Sequence, residues 1–470
     1  MRRTKIICTI GPASDSPEVF EKLCLGGMNV ARLNFSHGTH KEHQKRIDMI
    51  KSVREKLNLP IAILLDTKGP EYRVGIFCDG SVSLKEGDKF IFCVDDVEGN
   101  NERVSVNYKG LAKDLSVGDT ILVNDGLVAF EVIQLSDTEI TTVVKIGGEI
   151  SNRKSMSFPN KVLKQIYLSE QDKSDLLFGI KNDVDFVACS FVSTAQDIKD
   201  VRDFLDVNGG ENIALIAKIE NQSGVDNLES IIEYCAGIMV ARGDLGVEIP
   251  YENLPKIQKD IIALGRRFGR CVITATEMLE SMITKPRATR AEVSDVANAV
   301  YDGTSAIMLS GETAAGKFPV LAVKTMAQIA EKTEKNISYR KRFKATEYIP
   351  MNLTDSVGHG ICGLAMDVGA KVIAVCTVSG FTAYLISCFY SDVSILALTT
   401  TKKSWYQLAL GWNILPHLTM EHSSVEEIIN SAKSEASDLF HLAKGDIIVT
   451  TCGSVTGVAG PTNLLKIDQV

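Results

Sequence analysis

The chain has 470 residues, of which 45% are hydrophobic and 23% charged, a composition typical of a globular protein with two to four domains. Its 51 basic and 59 acidic residues give a net charge of −8, which argues against nucleic acid or an anionic membrane as a partner. No apolar run approaches the roughly 18 residues of a membrane span, and the N-terminus lacks the apolar region of a signal peptide. We therefore expect a cytoplasmic protein.

The cysteines agree with that location. There are eleven of them without a CxxC pair, and most lie in apolar runs, as Cys8, Cys189 and Cys271 do. This usage predicts buried, reduced thiols rather than a disulfide framework or a zinc site.

Eight short apolar runs alternate with helical patterns, such as residues 17–25 and 40–57, in the first 320 residues. Eight β/α units are the number in a (β/α)8 TIM barrel, whose catalytic face lies at the carboxyl ends of the strands. Polar or charged residues follow most of the runs, as this fold requires. The predicted strands are 5–10, 28–33, 61–65, 185–190, 214–219, 237–241, 272–275 and 306–309.

Residues 70–168 interrupt the third unit. They show alternating residues and Gly-Asp turns, a pattern that predicts a small inserted β-barrel domain without helices. An insertion over the catalytic face can act as a lid. The barrel domain is then discontinuous, with residues 1–69 and 169–345. Residues 346–470 alternate between strand and helix again and predict a smaller C-terminal open α/β domain, a candidate for regulation.

The central stretch, residues 214–250, predicts strand, helix, strand. Lys218 and Glu220 lie two apart at the first strand end and therefore share a face. With Asp244 after the second strand, two carboxylates are available to a divalent cation, beside a fixed positive charge. Gly243 and Gly246 allow backbone N–H groups to approach an anion. A buried salt bridge is the alternative interpretation of Lys218 and Glu220.

Two further strand ends carry candidate site residues. Arg32, Asn34 and Ser36 share one face after the second run, and the planar guanidinium of Arg32 suits phosphoryl oxygens. Asn34 and Ser36 offer neutral oxygens to a hard cation. Thr276 ends the seventh run, where it can donate a hydrogen bond to a substrate carboxylate or cap the helix expected to follow.

Several long motifs together resemble the pyruvate kinase family. AKIEN at 217–221 and MVARGDLGVEIP at 239–250 match the family's centre, and MNVARLNFSHG, DTKGPE and PRATRAE match elsewhere, so the resemblance covers nearly the whole chain. It implies phosphoryl transfer from phosphoenolpyruvate to ADP, giving pyruvate and ATP, in the last step of glycolysis. A metal-dependent (β/α)8 lyase or aldolase acting on a pyruvate enolate, and a non-catalytic metabolite sensor, are the alternatives.

The resemblance also assigns roles to residues. Lys218 and Arg32 would neutralise the phosphoryl group, Gly243, Asp244 and Thr276 would hold the carboxylate, and Thr276 and Ser310 would serve protonation of the enolate. Glu220 and Asp244 would bind Mg2+ or Mn2+. The K+ site would consist of Asn34, Ser36, Asp66 and Thr67, and Glu71 would accompany K+ dependence. The nucleotide phosphates would face His37, Arg73 and Lys154.

Regulation and assembly are further implications of the resemblance. A loop with Ser379, Gly380 and Thr382 corresponds to the family's site for a phosphorylated effector, and the family is commonly tetrameric. Basic residues frequent there are missing from residues 382–392 and from GSVTGVAGP at 453–461, so we expect control other than by a sugar diphosphate. Other departures from the family pattern are Ser193, Glu277, Ala288 and residues 155–160.

Overall fold

The structure is a computed structural model that describes residues 2–159, 161, 163–346, 348–453 and 462–470. Its strands are β1 (Lys5–Thr9), β2 (Val30–Asn34), β3 (Ala62–Asp66), β4 (Tyr72–Arg73), β5 (Ser81–Leu84), β6 (Lys89–Cys93), β7 (Arg103–Ser105), β8 (Thr120–Val123), β9 (Val128–Leu135), β10 (Glu139–Ile146), β11 (Gly148–Ser151), β12 (Ser155–Ser157), β13 (Phe186–Cys189), β14 (Ala214–Ile219), β15 (Gly237–Ala241), β16 (Cys271–Ala275), β17 (Ala306–Leu309), β18 (Val372–Cys376), β19 (Ser394–Thr399), β20 (Ile414–Leu418), β21 (Ile447–Gly453) and β22 (Thr462–Gln469).

The α-helices are α1 (Pro17–Gly26), α2 (His40–Leu57), α3 (Leu111–Asp114), α4 (Glu170–Lys181), α5 (Ala195–Val207), α6 (Gln222–Asp226), α7 (Leu228–Ile232), α8 (Arg242–Glu248), α9 (Leu254–Arg267), α10 (Arg290–Asp302), α11 (Gly311–Ala314), α12 (Pro319–Glu334), α13 (Tyr339–Ala345), α14 (Leu353–Asp367), α15 (Phe381–Ser387), α16 (Lys402–Gln407) and α17 (Val425–Phe440). Short 3-10 helices cover Tyr251–Asn253, Glu280–Ile283 and Leu408–Leu410.

Eight parallel strands close into a barrel in the order β1, β2, β3, β13, β14, β15, β16, β17. The prediction of a (β/α)8 barrel from the eight apolar runs is thereby confirmed. Most of these strands are buried along their whole length, because one face fills the barrel interior and the other packs beneath the helices. Parallel pairing brings all eight carboxyl ends to one rim, where the predicted polar residues lie.

Local sequence explains where the surrounding helices begin. In α2, the Thr39 hydroxyl accepts from the Glu42 N–H and the Glu42 carboxylate accepts from the Thr39 N–H, a capping box. Asn58 ends that helix in the left-handed conformation at φ 49°. Thr289 and Glu292 form the same capping box for α10. These caps set the first residues of α2 and α10, and the apolar faces of both helices pack on the barrel core.

The inserted region forms a seven-stranded sheet, in the order β4-β12-β8-β9-β10-β6-β7, and a two-stranded ladder of β11 and β5. The sheet curls back on itself, because Val74 and Val106, each next to an edge strand, form a bridge. Its core is separate and contains Phe90, Phe92 and Phe130. The expectation of a helix-free insertion is wrong in one place: residues after Gly110 form the single turn α3.

The last part of the chain is a five-stranded sheet in the order β20-β19-β18-β21-β22, flanked by helices. Its strands are parallel except β22, which pairs antiparallel with β21 at the edge. This open α/β sheet confirms the predicted architecture. The exact domain limits, at residues 69/70, 168/169 and 345/346, stay a prediction.

The α-helix expected after the seventh barrel strand is not formed. Thr276 and Glu277 have positive φ values of 67° and 53°, so the backbone cannot enter a helix directly. A 3-10 turn, Glu280–Ile283, follows instead. Thr276 therefore does not cap a helix that follows it, and its hydroxyl accepts instead from the Gly243 N–H in the first turn of α8.

The cysteines and the helices bear on the expected thiol state and on membrane spans. All eleven cysteines are free, and nine of them are buried. Among the described residues, none of the helices combines the length and apolarity needed to cross a membrane.

Candidate active site

The rim of the barrel holds a buried network of opposite charges. The Lys218 ammonium lies 3.0 Å from the Asp66 carboxylate, 3.0 Å from the Glu220 carboxylate and 2.6 Å from the Ser190 hydroxyl. Arg32 donates to the other Asp66 oxygen at 2.6 Å and to the Thr9 hydroxyl at 2.9 Å. Five strand ends thus bring together two cations and two carboxylates that are far apart in sequence.

The charges in this network stabilise one another. Burial disfavours the ammonium of Lys218, but the carboxylates of Asp66 and Glu220 outweigh it and raise the pKa of Lys218. Burial also opposes the charged form of Asp66, yet Arg32 and Lys218 hold the pKa of Asp66 below its usual value. Lys218 therefore stays positive and Asp66 negative at neutral pH. The rim presents fixed positive charge to an anionic ligand.

The surroundings of Glu220 disfavour its charged form. Burial raises the pKa of Glu220 to about 7, against the opposing effect of Lys218, and the charge of Asp244 raises it further. Phe191, held at φ 54°, donates its N–H to Glu220 at 2.6 Å and fixes the carboxylate. A carboxylate destabilised by burial and a like charge is a candidate ligand for a cation.

Asp244 supplies the second carboxylate from the exposed first turn of α8. The described residues contain no set of three or more His, Cys, Asp and Glu side chains arranged for a metal. Two carboxylates do suit Mg2+, which usually keeps several waters and binds substrate oxygens as well. The donor set thus fits a magnesium ion shared with a substrate.

Thr276 and Gly243 meet beside this pair. The Gly243 N–H donates to the Thr276 hydroxyl at 2.8 Å, and that hydroxyl donates to the Ala275 carbonyl at 2.6 Å. Arg242 holds the strained turn in place, because its guanidinium donates to the Thr276 carbonyl at 2.7 Å and pairs with Asp295 at 2.8 Å. An N–H and a hydroxyl are therefore positioned together at adjacent strand ends.

Ser310 ends the eighth strand. Its N–H donates to Glu312 at 2.7 Å, and the same carboxylate accepts from the Leu279 N–H at 3.0 Å. The Ser310 hydroxyl oxygen is buried without a hydrogen-bond partner. A substrate or a water molecule would satisfy this hydroxyl.

The predicted K+ ligands lie on two neighbouring strands. Asn34 and Asp66 are paired in register between β2 and β3. The Asn34 side-chain oxygen accepts from the Ser36 N–H at 3.1 Å, and the Thr67 hydroxyl accepts from the Ser190 N–H at 3.2 Å. The structure brings these oxygens to the same part of the rim. Both Asp66 oxygens are already engaged by Arg32 and Lys218.

The predicted nucleotide residues lie at the inserted sheet and on an exposed loop. Pairing of β4 with β12 places Arg73 opposite Ser155, next to Lys154. Arg73 forms a bidentate ion pair with Glu71 at 2.6 and 2.9 Å, which raises the pKa of Arg73. His37 is exposed between β2 and α2.

A cavity of about 170 Å³ opens between the insertion and the rim. Glu71 and Ser155 line it from the insertion, and Asp244 and Glu248 line it from α8. Burial raises the pKa of Glu248 to about 7, and its carboxylate accepts from the Phe158 N–H at 3.3 Å. The insertion therefore contacts the helix that carries Asp244.

The predicted effector loop leads into α15. Gly380 has φ 81°, and Thr382 shares a hydrogen bond with Thr462 at 2.6 Å. Ser379 and Thr382 line a cavity of about 310 Å³ that Glu421 and His422 also line. None of the described residues lining it is Lys or Arg. Of the stretch GSVTGVAGP, residues 454–461 lie outside the described residues.

The sequence assigned no role to four residues of the site. Ser190 binds Lys218, Arg242 supports Thr276, and Glu312 organises Ser310, as described above. Glu248 links α8 to the insertion. Ser190, Arg242 and Glu312 lie at or just beyond predicted strand ends, which is a signal for a site residue, whereas nothing in the local pattern distinguishes Glu248.

The departures from the family pattern have distinct surroundings. Ser193 accepts a hydrogen bond from Asn221 at 3.0 Å, and Glu277 is exposed while its carbonyl accepts from Arg242. Ala288 packs on the barrel core. In the return segment, Ser155 binds Asp125 at 2.9 Å and Met156 is buried. Asn160 lies outside the described residues.

The whole chain matches known proteins. The family model for the pyruvate kinase barrel domain matches residues 1–323, and that for the pyruvate kinase alpha/beta domain matches residues 355–468. The pyruvate kinase of Clostridium acetobutylicum is 44% identical over 474 residues, which cover 100% of both chains. That of Staphylococcus haemolyticus is 45% identical over 473 residues, covering 100% of this chain and 81% of the relative. The crystal structure of a pyruvate kinase from Cryptosporidium parvum has a TM-score of 0.94 and 36% identity, covering 100% of this chain and 96% of the other. The chain belongs to the pyruvate kinase family.

Proposed function

We propose that the rim around Lys218 transfers the phosphoryl group of phosphoenolpyruvate to ADP, giving pyruvate and ATP. The observation that carries the proposal is the ammonium of Lys218, held by Asp66, Ser190 and Glu220 with Arg32 beside them. Phosphoryl transfer requires positioned positive charge around the group in flight, and little else from the protein. Lys218 and Arg32 supply that charge from rigid strand ends.

The carboxylate of phosphoenolpyruvate binds at the adjacent strand ends. We assign as its donors the N–H groups of Gly243 and Asp244 and the hydroxyl of Thr276, which the strained turn held by Arg242 orients. On binding, the Gly243 N–H and the Thr276 hydroxyl would exchange their present acceptors, Thr276 Oγ1 and the Ala275 carbonyl, for the carboxylate. After transfer, the enolate is protonated at carbon from the side of Thr276 and Ser310 through water. The unpartnered Ser310 hydroxyl supports this assignment.

Glu220 and Asp244 would hold Mg2+, or Mn2+ in its place. A divalent ion there neutralises substrate oxygens and the developing enolate. A cation there would stabilise the charged form of Glu220, whose pKa is raised by burial and by the charge of Asp244. The K+ ligands would be Asn34, Ser36, Asp66 and Thr67, whose oxygens lie at the ends of β2 and β3 or just beyond them.

The nucleotide enters from the insertion side. We assign its phosphates to Arg73, Lys154 and His37, which come from three segments around the cleft. Glu71 forms an ion pair with Arg73 in this structure, so a bound ADP phosphate would replace Glu71 as the anionic partner of Arg73. Once released from Arg73, the Glu71 carboxylate could take part in the expected K+ dependence.

A coupled assay tests the function directly. Turnover of phosphoenolpyruvate with ADP and Mg2+ is followed by pyruvate formation, with and without K+. Activity that needs both cations supports the Mg2+ and K+ assignments together, and activity without K+ would remove the K+ site. A folded protein that shows no turnover, with or without added phosphorylated effectors, would return the lyase and the sensor as candidates. Measured binding of ADP would separate the kinase from the lyase, since only the kinase requires ADP, and measurable turnover would exclude the sensor.

Assembly and regulation form part of the proposal. Strand β22 is a sheet edge with exposed Leu465 and Ile467, a surface suited to a second copy, and we propose a homotetramer. Light scattering at working concentration tests that assembly. We also propose that the Ser379–Thr382 cavity takes a phosphorylated effector other than a sugar diphosphate, since its described lining lacks Lys and Arg. Fructose 1,6-bisphosphate should therefore leave the KM for phosphoenolpyruvate unchanged.

A further inference from the structure

A separate cavity of about 300 Å³ lies where the barrel meets the C-terminal sheet. Arg266 and Arg267, at the end of α9, line it from the barrel. Tyr348 lines it from the segment between α13 and α14, and His359 and Phe389 line it from the C-terminal part. The cavity shares none of its lining with the active-site cleft or with the effector-loop cavity.

One wall of this cavity is a stack of flat rings. The His359 ring lies between Tyr348, at 3.8 Å and 3°, and Phe343, at 4.7 Å and 15°. Phe389 meets His359 edge-on, with centroids 5.4 Å apart. Asp355 fixes the stack by accepting from the Tyr348 hydroxyl at 2.8 Å. Burial lowers the pKa of His359, so its ring is neutral at physiological pH.

Two arginines bring positive charge to the same cavity. Neither Arg266 nor Arg267 has an ion-pair partner among the described residues, whereas Arg242 and Arg202 do. The Arg266 Nε is buried without a hydrogen bond, and its guanidinium lies 4.3 Å from the centre of the Tyr390 ring. Asp355, the carboxylate that lines the cavity, accepts hydrogen bonds from the Tyr348 hydroxyl and the Met351 N–H and has no ion pair with either arginine. An anionic ligand in the cavity would give the two guanidinium groups an acceptor.

We propose that this cavity binds a small ligand that combines a flat aromatic ring with one anionic group, a phosphate or a carboxylate. The ring would pack against the wall of Tyr348, His359 and Phe389, since aromatic faces prefer offset or edge-on partners. The anion would accept from Arg266 and Arg267, whose planar guanidinium groups match phosphate and carboxylate oxygens. The volume is at the lower end of the range for small-molecule sites.

The position of α9 makes this site regulatory. The helix follows the 3-10 turn after α8, which carries Asp244, and leads after three residues into β16, which ends at Thr276. A Cβ atom on Gly265 would lie 2.2 Å from the Val272 side chain, so α9 packs against β16 without spare room. A ligand that moves the end of α9 therefore moves the strand beneath it. We expect the KM for phosphoenolpyruvate to change at least twofold on binding.

Calorimetry with four probes tests the site. Adenosine 5′-monophosphate carries both features with a phosphate, and 4-hydroxyphenylacetate carries them with a carboxylate. Adenosine lacks the anion, and ribose 5-phosphate lacks the ring. Each probe is titrated into the wild-type chain, into Arg267→Gln, and into Lys256→Gln, which removes a positive charge from α9 outside the cavity. Arg267 is exposed, so its replacement should not disturb folding.

At least one of the two complete probes should bind the wild-type chain. That probe should bind Arg267→Gln about tenfold more weakly and Lys256→Gln with unchanged affinity. The complete probe that binds identifies the ligand as a phosphate or a carboxylate. Adenosine and ribose 5-phosphate should each bind at least tenfold more weakly than that probe. Binding of neither complete probe, or equal binding to wild type and Arg267→Gln, overturns the proposal. Binding without any change in the KM for phosphoenolpyruvate overturns only the regulatory link. Because calorimetry measures binding without turnover, the binding result does not depend on the proposed catalytic roles.

Discussion

The two halves of the active site are built differently. The rim network of Lys218, Arg32, Asp66 and Glu220 is almost wholly buried, and each charge has its partners within hydrogen-bond distance. The nucleotide-facing residues Arg73, Lys154 and His37 are partly or fully exposed, on a two-residue strand and two loops. The rim belongs to the barrel, whereas the insertion has a core of its own, so we expect the insertion to be the more mobile half.

This difference predicts a division of labour. Groups held at parallel strand ends keep their geometry during the chemical step, so their loss should lower kcat. Groups on the insertion meet the nucleotide from outside, so their loss should mainly raise the KM for ADP. The following variants test this division, in order of decreasing expected effect.

Lys218→Met should lower kcat by about 10²- to 10³-fold or more, because it removes the positive charge closest to the phosphoryl group. It also leaves Asp66 and Glu220 without their shared cation, so some loss of stability is expected. Coupled turnover measures the first effect and circular dichroism checks the fold. Lys181→Met, on the exposed end of α4, is the matched control. Near wild-type turnover in a folded Lys218→Met chain would remove the rim from the mechanism.

Thr276→Ala should lower kcat/KM for phosphoenolpyruvate by about 10- to 100-fold, since it removes a donor to the carboxylate and the acceptor of the Gly243 N–H. Thr276→Ser keeps the hydroxyl and should recover most of the activity. Equal losses in both variants would mean that the methyl group, and not the hydroxyl, matters.

Arg73→Gln should raise the KM for ADP about tenfold and leave kcat within threefold of wild type. Steady-state kinetics with each substrate varied in turn provides the test. The control is Arg103→Gln, an exposed arginine elsewhere on the inserted sheet. A change in the KM for phosphoenolpyruvate, with that for ADP unchanged, would contradict the assignment of Arg73.

Glu248→Gln tests the contact between the two halves through pH. The pKa of Glu248 is raised from 4.5 to about 7, so between these values the folded chain binds a proton that the unfolded chain does not. The contribution of Glu248 to stability therefore falls as pH rises from 4.5 to 7. The variant cannot ionise, so its Tm relative to wild type should rise by about 1–3 °C between pH 5 and 7.5. A constant difference in Tm across this range would exclude the titration of Glu248.

Much of the fold followed from sequence periodicity. Parallel barrel strands are buried on both faces, so each appears as a short apolar run, and all eight were found. The insertion could be predicted because its apolar residues recur with a period of 2, as in strands, whereas those of the barrel helices recur with a period of about 3.6. Two features escaped: the single turn α3, too short to show a period, and the positive φ of Thr276 and Glu277, which replaced the expected helix with a 3-10 turn.

The site could be predicted only where residues lie close together in sequence. Lys218 and Glu220 share a face by the period of the strand, and their contact at 3.0 Å follows from it. The contacts of Lys218 with Asp66 and Ser190 depend on which strands are neighbours in the barrel, and local patterns do not contain this information. The pairing of Glu71 with Arg73 depends on rotamers at an exposed edge, and the expected roles of both residues did not anticipate it.

The insertion between β3 and β13 has a consequence for how the chain folds. These two strands are barrel neighbours, yet the whole inserted sheet lies between them in sequence. The final seam, between β1 and β17, joins residues 300 or more positions apart, such as Thr9 and Leu309. Contacts over such separations form slowly, because loop-closure entropy is lost before they contribute. During synthesis the inserted sheet, with its own core, can fold while the first three barrel strands still await their partners, leaving β3 an open edge that is prone to aggregation.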